Sequence, residues 1–77
     1  VRLNPQSFKA RYNRGKVYLR LNYYEEAIVD LLKAVDVKPK HIAAHEYLAE
    51  SYLHLGDKKQ AQRHQDIADG LRGMNCD

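Results

Sequence analysis

Apolar residues in this chain recur at intervals of three and four, a spacing that gathers side chains on one face of a helix and that a strand would split between two. The clearest stripe lies in Tyr24 to Val37, where Ala27, Ile28, Leu31, Ala34 and Val35 share a side. The same rule predicts a helix from Phe8 to Leu21 with Ala10, Val17, Tyr18 and Leu21 inward. Gly15 lies on that side too, where a missing side chain lets a neighbouring helix come close. A third helix is predicted from Ile42 to Leu55, facing inward with Ala44, Leu48, Ala49, Tyr52 and Leu55. The fourth, from Lys58 to about Gly70, is thinly apolar, offering Ala61, Ile67, Ala68 and Leu71.

Residues that punctuate helices stand between these stripes. Ser7 can cap the first helix by accepting from its free N–H groups. Asn22 tolerates the left-handed conformation that closes a helix, and Gly56 stands in the matching place later. Pro39 drives Lys38 out of helical geometry and ends the second helix. Asp57 is expected to cap the fourth, with Gln60 three residues on completing a capping-box variant.

The two halves are one pattern written twice. Moving 34 residues on from Gly15, Tyr18, Leu21, Asn22, Ala27 and Ala34 reaches Ala49, Tyr52, Leu55, Gly56, Ala61 and Ala68, each alike in size or turn chemistry. Moving 34 back from Pro39 reaches Pro5, so Val1 to Pro5 reads as the exit of a preceding helix. These positions resemble the tetratricopeptide repeat, a 34-residue helix-turn-helix unit with the pattern W-x2-L-G-x2-Y, A-x3-F and P. The first unit matches at Gly15, Tyr18, Ala27, Leu31, Ala34 and Pro39, with Arg11 and Arg14 in the Trp and Leu places. Those arginines are expected to lay their stems along the surface. The second unit matches at Leu48, Ala49, Tyr52, Ala61 and Ala68, with His45 in the Trp place and Gln65 for the second aromatic.

The resemblance implies an all-α, right-handed superhelical stack of antiparallel helix-turn-helix units: the end of a preceding repeat over 1–5, one unit over 6–40, a second with a polar closing helix over 41–72, and a tail over 73–77. It further implies a non-catalytic scaffold that binds a partner peptide or protein segment in a concave groove lined by the first helix of each unit. Here that groove would hold Lys9, Tyr12, Asn13, Lys16 and Arg20, then Ala43, Glu46, Tyr47, Glu50 and His54. The first set is basic and the second acidic. Tyr12 and Tyr47 are suited to anchor a ligand, being amphipathic and stiff. Lys16 is placed to pair with Glu50 or Glu46. A subset of the family grips chaperone C-terminal carboxylates with Lys, Asn and Arg. Only Lys9 or Asn13 matches, and Ala43 and Tyr47 stand where further donors are needed, so that clamp is incomplete. The alternative role is a structural spacer or self-association segment, the isolated pair of units being prone to pair with itself.

Composition narrows the reading further. A chain of 77 residues has room for one small core. No apolar run approaches the roughly 20 residues of a membrane span. The net charge of +3 comes from dispersed Lys and Arg, unlike a nucleic-acid arm. A base-reading code is also missing, since Tyr12, Asn13 and Lys16 become Glu46, Tyr47 and Glu50. The one cysteine, Cys76, allows no internal disulfide, which suits an intracellular, cytoplasmic setting. His41 and His45, one turn apart beside Glu46, lack a third metal ligand and are expected to be solvated. His54 and His64 are expected to be isolated. No metal, cofactor or catalytic constellation is implied, and the chain is expected not to be an enzyme.

Overall fold

A computed structural model describes residues 7–74; the remnant expected over Val1 to Pro5 and the thiol of Cys76 lie outside the described residues. The described residues are all-α: α1 (Phe8–Arg20), α2 (Tyr24–Val37), α3 (Ile42–His54) and α4 (Lys58–Met74). The bounds of α2 are those its stripe predicts. α4 runs through Gly70 and Gly73 rather than ending near the first, because each glycine lies in open space and costs only about 1 kcal/mol in a helix, too little to stop it.

Two turns of one kind fold the chain into two helical hairpins. At the first, Asn22 takes φ 66°, its N–H donates to the Leu19 carbonyl, and the Tyr23 N–H reaches back to Tyr18. At the second, Gly56 takes φ 83°, its N–H donates to Leu53, and the Asp57 N–H reaches Tyr52. This is the Schellman closure, which satisfies the last carbonyls of a helix through one left-handed residue. Its usual apolar contact is supplied by Tyr18 against Tyr23, with ring centroids 6.1 Å apart. Because the Asp57 N–H is engaged there, it is not free for Gln60, so the reciprocal half of the expected capping box is replaced. Only the cap itself forms, the Gln60 N–H donating to Asp57 Oδ1 at 3.2 Å. Ser7 caps α1 as expected, accepting from the Ala10 N–H.

α1 packs on α2, α3 lies along α2 and touches α1, and α4 packs on α3 alone. Leu19, Ala27, Ile28, Leu31 and Leu48 form the core, bordered by Tyr12, Tyr18, Tyr24, Val35, Tyr47 and Tyr52. Gly15 lets α1 and α2 come close: a Cβ there would stand 2.7 Å from Leu31 Cγ.

The inward stripe predicted for α1 is only partly inward. Val17 is 53% exposed and Leu21 54%, and Ala10 is exposed as well, whereas Leu19 is buried. The 34-residue offset explains this. The counterparts of Ala10 and Val17 are Ala44 and Ser51, both buried where α3 meets the first hairpin. No described helix covers the same face of α1. Leu55 is likewise exposed, as is Ile67, while Ala61 and Ala68 are buried.

Candidate functional site

Each hairpin is fastened across its two helices by a buried polar clasp, and the two clasps occupy equivalent places. In the first, Asp30 is 2% exposed and accepts from Arg11 Nη1 at 3.1 Å, Arg14 Nε at 2.7 Å and Arg14 Nη2 at 2.9 Å. The hydrogen bonds from Arg14, with further help from Arg11, hold its carboxyl below the usual range despite burial. The arginines in the Trp and Leu places therefore do not merely lay stems on the surface; they converge on an acid. A sequence signal for this exists. Asp30 stands three residues after Ala27 and four before Ala34, inside an apolar stripe, and a carboxylate there requires partners.

The second clasp overturns the expectation of solvated or isolated histidines. His45 and His64, the 34-residue counterparts of Arg11 and Asp30, are 5% and 8% exposed, with their Nδ1 atoms 3.1 Å apart. His45 Nε2 lies 2.8 Å from the Pro39 carbonyl, which can only accept, so that nitrogen carries the proton. The facing Nδ1 atoms of His45 and His64 then share a single hydrogen bond, one ring donating and the other accepting. Tyr52 stacks on His64 with centroids 5.6 Å apart. Burial, with the neighbouring His45 and Arg63 charges, pushes the His64 pKa down. His41 is the N-cap of α3: its Nδ1 accepts from the Ala44 N–H at 3.2 Å and its pKa is lowered, by burial first.

The residues expected to line a groove lie along α1 and α3. Lys9, Asn13 and Arg20 are exposed, and Tyr12, Lys16, Ala43, Glu46 and Tyr47 are half-buried. Glu50 and His54 are exposed. Where α1 meets the start of α3, aromatic rings gather: Phe8 stacks on Tyr12 at 5.3 Å, both meet His41, and Tyr12 lies 6.0 Å from Tyr47. Burial first, and then the neighbouring Tyr47 phenol, push the Tyr12 phenol up. Two cations cover this cluster, Lys16 Nζ 5.1 Å above Tyr12 and Lys38 Nζ 4.9 Å above Phe8. Farther along, His54 stacks on Tyr24 at 4.4 Å and approaches Glu50 to 3.9 Å.

The expected pairing of Lys16 with Glu46 or Glu50 is replaced by other partners. Lys16 takes the Tyr12 ring, and Glu46 is bound by Arg72 from the last turn of α4. Arg72 is a neighbour that sequence reasoning missed, because α4 was expected to stop before it. On the side of α3 and α4 away from the first hairpin is a cleft of about 520 Å³ lined by Glu46, Ala49, Glu50, Leu53, Lys58, Ala61, Gln62 and Gln65. No helix among the described residues is long and apolar enough to cross a membrane.

Comparison with known proteins adds ancestry to this geometry. Residues 8–41 match the profile of the tetratricopeptide repeat. Two proteins of Arabidopsis thaliana are similar over 64 residues, 83% of this chain: the TPR repeat-containing thioredoxin TTL4 at 36% identity and the inactive TPR repeat-containing thioredoxin TTL3 at 34%. The chain spans about 9% of the length of these curated relatives.

Proposed function

The chain belongs to the tetratricopeptide repeat family, and from that premise we propose that it is a non-catalytic docking module whose α1 and α3 hold an extended partner segment. Repeats of this family generally mediate protein–protein interaction, and the proposal assigns that work here to Lys9, Tyr12, Asn13, Lys16 and Arg20 together with Ala43, Glu46, Tyr47, Glu50 and His54. The observation that carries it is the half-buried aromatic cluster at the junction of the two helices, flanked by cations on α1 and carboxylates on α3. Rings of this kind supply contact area at small entropic cost. Charges of opposite sign on either side set the direction in which a ligand lies.

The second hairpin, over 41–72, is proposed as a second repeat, and a cytoplasmic setting is part of the same reading. In a parent resembling the two named relatives, dithiol chemistry would reside elsewhere, since it requires two cysteines and this chain has one.

The test uses an extended peptide with aspartates at one end, lysines at the other and an apolar centre, titrated into the ¹⁵N-labelled chain. Resonances of α1 and α3 should shift, and Lys16→Glu and Glu50→Lys should each weaken binding about tenfold, with salt suppressing both effects. Shifts confined to other surfaces, or affinity indifferent to both reversals, overturn the proposal.

A further inference from the structure

The two clasps answer acid in different ways, because one is built from charges and the other from rings that can gain them. In the first hairpin a carboxylate meets two guanidinium groups, a match that holds as long as Asp30 stays ionised. In the second, His45 on α3 and His64 on α4 hold the same places of the 34-residue repeat, so both partners can take up a proton. Their Nδ1 atoms stand 3.1 Å apart, with room for one hydrogen between them. His45 is held in this orientation by its Nε2–H, 2.8 Å from the Pro39 carbonyl. His64 is fixed as well: the His45 ring lies 5.3 Å away, and the Tyr52 ring stacks on it at 5.6 Å with planes 9° apart.

The neutral pair shares one hydrogen across the gap. This geometry tolerates one added proton, because a charged ring donates its Nδ1–H to the lone pair of the other. A second sets N–H against N–H and charge against charge, and the bond is lost. The surroundings offer no relief. Arg63 bears on His64 from α4, and Lys38 and His41 stand on the connector beside Pro39. The carboxylates of the second hairpin have other partners: Glu46 is bound by Arg72, Glu50 approaches His54, Asp57 caps α4, Asp66 accepts from Gln62, and Asp69 accepts from Gln65. Asp36, on the last turn of α2, is exposed.

We propose that His45 and His64 form a proton-operated latch: acid releases α4 from α3, uncovering the side of α3 that carries His45 and Tyr52 and withdrawing Arg72 from Glu46, while the first hairpin stays closed. Among the described residues α4 packs on α3 alone, so no other helix there retains it. α3 is anchored independently, by Leu48 among Leu19, Ile28 and Leu31 and by Tyr47 against Tyr12. A free imidazole takes up its proton near pH 6.5, and burial holds His64 below that, so the open form binds more protons and gains population as pH falls from 7 to 5. The latch goes beyond the groove reading and does not rest on it.

Backbone amide exchange on this chain tests it, with rates corrected for the intrinsic effect of pH. From pH 7 to 5 the opening of α4 should grow by at least about tenfold, the response to one proton or more, while α1 and α2 keep their protection. Imidazole ¹⁵N spectra should show His45 Nε2 protonated and one hydrogen between the two Nδ1 atoms at pH 7, with both rings charging where α4 opens. His45→Arg with His64→Asp installs the residue types of the first clasp; circular dichroism at pH 7 verifies that it folds, and its α4 should stay protected at pH 5. His41→Asn keeps a cap on α3 and removes the neighbouring imidazole, and its α4 should still open. A smaller response in the wild type, a first hairpin that opens along with α4, or rings that charge without moving α4 overturns the proposal. So does a double variant that folds and opens like the wild type, or an α4 that no longer opens in His41→Asn. Should the double variant not fold, the wild-type imidazole spectra still decide.

Discussion

Replacing Asp30 by Asn removes one charge from the first clasp and almost no volume, so it isolates the electrostatic part of the α1–α2 junction. Asp30 is 2% exposed and accepts three hydrogen bonds from two guanidinium groups. The two partners are unequal. Arg14 keeps 57% of its side chain in solvent and is rehydrated when the carboxylate goes, whereas Arg11, at 12%, stays enclosed and loses the Asp30 charge beside it. Breaking a fully buried pair costs about 3–5 kcal/mol. With one partner of the clasp solvated, the loss should be about 2–3 kcal/mol. A domain of this length has a total stability of about 4–12 kcal/mol, so Tm should fall by about 10–20 °C. Urea and thermal unfolding followed by circular dichroism at the helical band measure it. Arg14→Ala should be milder than Asp30→Asn, and the all-apolar combination Arg11→Met, Arg14→Met, Asp30→Leu should recover most of the loss. A loss under about 0.5 kcal/mol for Asp30→Asn would refute the assignment of the clasp to charge.

Gly15→Ala should destabilise, because its Cβ meets Leu31 Cγ at 2.7 Å and overpacking of about 1–3 kcal/mol exceeds the helix-propensity gain of about 1; Gly70→Ala, into open space, should instead stabilise by up to about 1 kcal/mol, and paired urea melts decide both. Stability should also fall as pH drops from 7 to 5. The folded pKa values of His41 and His64 lie below the unfolded value, so the unfolded chain binds more protons in that window, and protonation removes the acceptor with which His41 caps α3 and places a charge on the buried His64 ring. Asp30, with its pKa depressed, holds its contribution until pH falls below about 4, so amide exchange should show α4 loosening before α1; a flat pH profile, or α1 opening first, counts against the two-clasp account.

The legible part of this fold was the part governed by local rules. α2 was read with its ends because its stripe is dense and Pro39 closes it, and the left-handed Asn22 and Gly56 followed from turn chemistry alone. Reading failed where two surfaces had to be compared. Val17 and Leu21 have helical spacing, but spacing cannot say whether a neighbour exists to cover them. His45 and His64 looked solvated because imidazoles ordinarily are, and only the approach of α4 to α3 takes them out of water. The candidate groove is legible as a row of residues on two helices. Which of its charges are engaged was not, since Arg72 reaches Glu46 from 26 residues away.

By itself, then, the sequence determined four helices, their turns and a 34-residue repeat, because these depend on interactions within a few residues and on the periodicity of one chain segment. The tertiary structure alone decided the pairing of polar groups: Asp30 with two arginines, His45 with His64 and Pro39, and Lys16 with a ring instead of a carboxylate. The physical reason is range. Helix propensity and capping are settled locally, whereas a buried charge or imidazole takes its partner from whichever helix desolvates it, and that is fixed only when the hairpins close.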